Sequence, residues 1–245
     1  MDAVAALERV CAAGWPAQVT EHLGDWLLRA AGGFSGRANS ALAVGDPGLE
    51  VPDALAEVQR FATRHGVAPR AQVVQTTPWE AAVQRAGWAV DDTGPVSVQV
   101  ALLPDITDGP HGGGAEIEVT DAPTPDWWQL VAGTTRPGES QRAVLLGGVV
   151  GFGLARIDGE VVGAVRAALV DDWVHLARLA IDPARRGRGL GRALTAAASD
   201  WAQQRGARHA VLQVSLHGTA AWRVYSTLGF TEHHSYRYWA PPGRE

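Results

Sequence analysis

The chain has 245 residues, is 46% hydrophobic and carries a net charge of -5, which allows one large or two small domains and disfavours nucleic acid as the main partner. Its single cysteine, Cys11, excludes an intramolecular disulfide and fits a reducing compartment. Asp2 stands where a signal peptide carries bases and no apolar run reaches membrane length, so the expectation is a cytoplasmic protein with no membrane partner.

In chain order, Trp26 to Gly33 followed by SGRANSALAV reads as a hairpin, with Arg37 and Asn39 on its solvent side. A helix over 53–65, a strand over 71–76 and a helix over 78–86 come next, and Gly87-Trp88 precedes another strand. Pro104 to Gly114, with two prolines, four glycines and no apolar periodicity, reads as a linker. It divides a first unit, 1–103, from a second, 115–245.

The second unit opens with a strand over 115–120, two short helical pieces around Trp127 and Arg142, and a hairpin turning at Asp158-Gly159. A long strand, Trp173 to Ile181, leads into IDPARRGRGLGRAL. Arg186, Gly189 and Gly191 are spaced R-x-x-G-x-G, with Arg185, Arg188 and Arg192 beside them. Glycines let backbone amides approach an anion, and the helix starting at Leu190 adds the positive end of its dipole. The loop is a phosphate cradle. A Walker loop is excluded, because the chain contains no lysine. A dinucleotide fold is disfavoured, because the glycines are evenly spaced and the next strand, HAVLQVSL, has no acid for a ribose. The pyrophosphate of coenzyme A is the third option.

The residues after the loop favour that option. The helix places Leu190, Leu194, Ala197 and Trp201 on one face. A strand and a second helix ending AAWRVYSTLGF come next, with Gly229 at the helix stop. The motifs L-A-I-D-P-x-x-R-G-R-G-L-G-x-x-L and A-x-x-V-Y-x-x-L-G-F, in this order, resemble the GCN5-related N-acetyltransferase family. The resemblance implies an acyl-CoA N-acyltransferase fold of the α/β (α+β) type, a mixed and mostly antiparallel sheet flanked by helices.

The first unit reads as a degenerate copy of the second. FATRHG at Phe61 matches WAQQRG at Trp201, and the glycine-aromatic pair ending at Trp88 matches that ending at Phe230, spaced alike to within about two residues. Where the cradle belongs stands GDPGLEVP, Gly45 to Pro52, with two acids and no arginine. The expectation is two tandem units, of which only the second holds coenzyme A.

For activity, the resemblance implies transfer of the acetyl group of acetyl-CoA to an amine of a small molecule or peptide, by direct attack in a ternary complex. A non-catalytic acyl-CoA-binding protein is the alternative. Leu179, Ala180 and Ile181 are implied to offer backbone groups to the pantetheine and the carbonyl, and Arg186, Gly187, Arg188, Gly189, Leu190, Gly191 and Arg192 to hold the pyrophosphate. Tyr225, in the position of the family's tyrosine, is the candidate acid for the leaving thiolate. His175 is the candidate base, with Asp171, Asp172 and Glu139 as rivals. Strand alternation puts His175, Ala177, Leu179 and Ile181 on one face. Gly218 stands where the family often has an asparagine. The implied partner is an amine acceptor; a homodimer is compatible, and no metal is expected.

Overall fold

The structure is a computed structural model and describes residues 2–106, 114–217 and 219–243. The elements of the first unit are α1 (Ala3–Gly14), β1 (Val19–Leu23), β2 (Trp26–Ala30), β3 (Ala41–Ala43), α2 (Val51–Arg64), β4 (Ala71–Val74), α3 (Pro78–Arg85), β5 (Ala89–Val90), β6 (Val96–Leu102) and α4 (Leu103–Ile106). The second unit contributes β7 (Glu116–Thr120), α5 (Pro125–Ala132), α6 (Glu139–Leu146), β8 (Val149–Ile157), β9 (Glu160–Val170), β10 (Trp173–Ile181), α7 (Leu190–Gln203), β11 (His209–Ser215), α8 (Thr219–Ser226) and β12 (Thr231–Ala240).

One continuous sheet joins the two units, in the order β1-β2-β3-β4-β12-β6-β11-β10-β9-β8-β7, with β5 also paired to β12. Its pairings are antiparallel apart from β3 with β4 and β10 with β11. The last strands are exchanged. From the first unit, β6 runs along β11 from His209↔Leu102 to Ser215↔Val96, while β12 crosses back to pair with β4. Sequence neighbours therefore do not complete their own sheets, and each half lacks an interior strand without the other.

Alternation explains why the sheet can be covered on both faces. On one face α7 buries Leu190, Leu194, Ala198 and Trp201 against Val174, Leu176 and Leu212. On the other, α5 and α6 bury Trp127, Val144 and Leu145 with Phe152, Ala168 and Ala177, and Trp15 from the end of α1 joins them. Arg166 on β9 is wholly buried there. It donates to the carbonyls of Leu145 (2.9 Å), Gly14 (2.7 Å), Val144 (3.3 Å) and Gly147 (3.1 Å), closing the carbonyl ends of α1 and α6.

Three sequence expectations change. The expected hairpin forms as β2 with β3, antiparallel at Leu27↔Leu42, but residues 35–40 are a loop rather than strand, and a further hairpin of β1 with β2, turning at Gly24-Asp25, precedes it. The helix α1, absent from the sequence reading, is capped by Asp2, whose carboxylate accepts from the Val4 amide at 3.1 Å. The start of the expected linker is not open chain: α4 buries Leu103 and Ile106 in the core. The remainder of that linker, 107–113, lies outside the described residues, as does Gly218.

A glycine-loop site beside diverging strands

The parallel pair β10 and β11 is in register only from Trp173↔His209 to Leu176↔Leu212. Beyond Leu176 the two strands are no longer partners, although both continue. On its other side β10 stays with β9, but the register jumps between Ala177↔Arg166 and Ala180↔Ala164, so Arg178 and Leu179 together oppose Val165. Arg178 takes a positive φ of 56°, which a non-glycine residue adopts at a cost. The Val165 carbonyl at this point is taken by the indole N–H of Trp127 at 3.1 Å. The bulge breaks the expected alternation along 175–181. It also leaves the backbone of Arg178 and Leu179 outside the paired register, at the place where the strands separate.

Beyond Ile181 the chain makes a short 3-10 turn over Pro183–Arg185, held by the Asp182 carboxylate accepting from the Ala184 amide at 2.9 Å. Gly187 and Gly189 then adopt φ of 76° and 79°, and a β-carbon at either would meet no atom within 4 Å. The loop is exposed, and Gly189 caps α7 directly, so the helix presents its first amides to the loop. Leu190 is buried, and a β-carbon at Gly191 would lie in ordinary contact with the side chains of Leu179 and Val224, 3.5 and 3.7 Å away. Leu190 and Gly191 seat the helix against β10 and α8. Arg186, Gly187, Arg188 and Gly189 form the open part of the cradle.

Tyr225 lies on α8, buried to 8% exposure and edge-on to Phe230, with ring centroids 5.7 Å apart. Burial pushes its phenol up to about 12, with the Arg37 charge opposing. It is fully protonated at neutral pH, as an acid must be.

His175 does not fit the role of base. It is wholly buried on the paired part of β10, edge-on to Trp15 and pressed against Gly14, where a β-carbon would sit 2.4 Å from that of His175. Burial, then the charges of Arg37 and Arg166, hold its imidazole well below the usual range. Sealed from solvent, His175 presents no surface to an incoming amine in this structure. Of the rivals, Asp171 and Asp172 precede β10 at its paired end, and Glu139 starts α6.

Sequence reasoning discounted the residues that the first unit brings here. Arg37 and Asn39 are not on a solvent face. Asn39 is buried and its side-chain oxygen accepts from the amides of Ala31 (2.7 Å) and Gly33 (3.1 Å), fixing the loop. Arg37, on that loop, donates to Gln213 of β11 at 2.9 Å and lies 4.8 Å from the centre of the Trp15 ring. Trp127, Trp128, Trp201 and Trp239 are buried core residues, and Trp173 is half-buried.

A mixed sheet with a strand pair that opens beside a glycine loop at a helix start defines an acyltransferase of the GCN5-related class. Solved structures carry the same fold: a GCN5-related N-acetyltransferase from Kribbella flavida (TM-score 0.74, 18% identical, covering 100% of this chain and 97% of that one) and a tandem GNAT protein from the clavulanic acid biosynthesis pathway (TM-score 0.69, 16% identical, 98% and 88%). The chain belongs to the family described as "Probable histone acetyltransferase Rv0428c C-terminal", whose model matches residues 2–239. It is 28% identical over 250 residues to the probable histone acetyltransferase Rv0428c of Mycobacterium tuberculosis, covering 96% of this chain and 73% of that protein. It is also 38% identical over 87 residues to the mycothiol acetyltransferase of Amycolatopsis mediterranei, a match of 36% of this chain and only 28% of the relative.

Proposed function

We propose that the chain is an acetyl-CoA-dependent N-acetyltransferase whose chemistry lies in the second unit. The observation that carries this reading is the coincidence of three features: an open glycine loop at the start of α7, the divergence of β10 from β11, and a protonated Tyr225 on the helix that follows β11. The loop of Arg186, Gly187, Arg188 and Gly189 takes the pyrophosphate. The pantetheine runs between the diverging strands, and the thioester carbonyl meets the backbone of the bulge at Leu179 and Ala180, which acts as an oxyanion donor.

The acceptor amine, in its neutral form, attacks the thioester carbon. A carbon–nitrogen bond forms, the carbon–sulfur bond breaks, and Tyr225 gives its proton to the departing sulfur. The proton shed by the nitrogen passes to solvent, and the phenolate recovers one from solvent. With His175 sealed in the core, no side chain is assigned as base; holding both reactants together supplies much of the acceleration.

The test is thiol release from acetyl-CoA against a broad amine panel, run beside calorimetry of acetyl-CoA. Binding with turnover supports the reading. Binding without turnover on any amine leaves only an acyl-CoA-binding protein.

A further inference from the structure

Around the indole of Trp15 the structure gathers three guanidinium groups: Arg37 at 4.8 Å from the ring centre, Arg166 at 5.3 Å and Arg178 at 5.5 Å. Phe34 stacks on Trp15, with centroids 6.4 Å apart, and Arg178 also lies 4.9 Å from its ring. Among the described residues, none of the three arginines has a carboxylate within salt-bridge distance, although the chain as a whole is acidic. Concentrating like charge in a half-buried place costs energy, and aromatic faces offset only part of that.

The three are not equivalent. Arg166 is saturated by four carbonyls and is structural. Among the described residues the Arg37 side chain makes one hydrogen bond, to Gln213, and both Arg37 and Arg178 are half-buried rather than sealed. The Nε of Arg178 is buried without a hydrogen-bond partner. Arg178 is the bulge residue itself, and Gln213 lies on β11 past its last pairing with β10. The cluster thus sits at the mouth of the strand divergence. It is on the face of Trp15, α5 and α6, opposite the face carrying α7.

We infer that Arg37 and Arg178 form the acceptor subsite and select an amine that carries a carboxylate a few bonds away, an amino acid in the chemical sense. This rests on the acetyl-transfer reading and adds the substrate class. A planar guanidinium matches a carboxylate with paired N–H donors, and two of them, half-buried beside aromatic rings, discriminate strongly against a neutral amide of the same shape. The carboxylate must lie close to the amine, because Arg178 is part of the bulge where the thioester carbonyl is held. Arg37 comes from the loop between β2 and β3, so the first unit, which has no cradle, supplies acceptor selectivity to the second.

The experiment uses the whole protein saturated with coenzyme A and matched probes: N-acetyl-amino acids, the products of the proposed reaction, against their primary amides. Binding is read by calorimetry, and forward transfer is then read with the free amino acids and their amides. At least one acid should bind about tenfold or more tighter than its amide, as expected for loss of a charged hydrogen-bond pair. Arg37→Gln should reduce that preference to within about twofold, with acetyl-CoA affinity unchanged. Acids and amides binding alike in the native protein, no acid binding at all, or a lysine peptide with blocked termini outcompeting every free acid overturns the assignment. Acids binding selectively with no transfer to any amine leaves the subsite standing and instead removes the acetyltransferase reading. The native comparison does not depend on how the variant folds.

Discussion

Two glycine loops stand at equivalent points of the two units, and they differ in what already occupies their amides. Each follows a strand that pairs in parallel with a neighbour, β3 with β4 and β10 with β11, and each leads into a helix, α2 or α7. In the first unit the loop's donors are already taken. The Asp46 amide donates to the Asp25 carboxylate at 2.9 Å, and the Gly48 amide to that of Asp46 at 2.8 Å. A β-carbon on Gly45 would lie 2.6 Å from the Asp25 side chain. In the second unit Gly187 and Gly189 face open space with arginines around them. A nest of amides binds an external anion only where the chain has not supplied one of its own.

The sharpest way to break this comparison is to fill both loops. Gly48 and Gly189 share a positive φ, 71° and 79°, and open surroundings, so Gly48→Val and Gly189→Val carry the same backbone cost. Acetyl-CoA affinity should fall about 100-fold or more in Gly189→Val, through loss of several charge-assisted bonds, and stay unchanged in Gly48→Val. Calorimetry reads both, and circular dichroism confirms folding. Equal loss in the two variants would mean that strain, not the cradle, was measured.

A somewhat smaller effect is expected at Tyr225. Tyr225→Phe keeps the ring against Phe230 and removes the proton given to sulfur. Turnover should drop about 100-fold on the general-acid scale, with kcat affected more than KM and acetyl-CoA binding nearly unchanged. Native turnover in the variant, with chemistry shown to limit the rate, returns Tyr225 to a packing role.

The same contrast shows what a sequence can and cannot reveal. The open glycine loop at the start of α7 was legible because its glycines and arginines are contiguous and the constraint on them is local: positive φ beside a helix start. The elements of the second unit, from β7 to α8, were legible through periodicity for the same reason. The exchange of β6 and β12 was not, because strand pairing across the sheet leaves no mark in local alternation. Nor was the β10 bulge, since HLARLAI alternates well enough on paper; an arginine among apolar residues was its one signal. Trp15 and Arg37 were missed or discounted because their meaning arises only where α1 and the β2–β3 loop meet β10.

His175 sharpens the comparison from the stability side, because the first unit's Gly14 and Trp15 seal it. Its folded-state imidazole is held well below the usual range by burial, then by Arg37 and Arg166. Below about pH 6.5 the unfolded chain takes up a proton that the folded chain refuses, so stability falls with falling pH, by up to about 1.4 kcal/mol per unit. Its contribution is fully present above that pH. Urea unfolding between pH 7.5 and 5 should show a shallower slope in His175→Gln than in the native chain. Equal slopes would mean that His175 is accessible and titrates when folded, which would reopen its candidacy as base.

The smallest effect tests whether the plug alone separates the two loops. Asp25→Ala removes the acceptor for the Asp46 amide and leaves the glycines in place. The Asp25 side chain is 56% exposed, and its contact with Arg9 at 3.7 Å is screened by water, so the loss should be at most about 1 kcal/mol, a shift of a few degrees in Tm. The freed amide should still bind no coenzyme A, since Asp46 and Glu50 remain beside it and offset the nearby Arg9. Titration with acetyl-CoA should therefore give one site per chain in the native protein and in the variant. A second site appearing in Asp25→Ala would show that the first loop differs from the glycine loop of the second unit by a single carboxylate, rather than by the balance of charge around it.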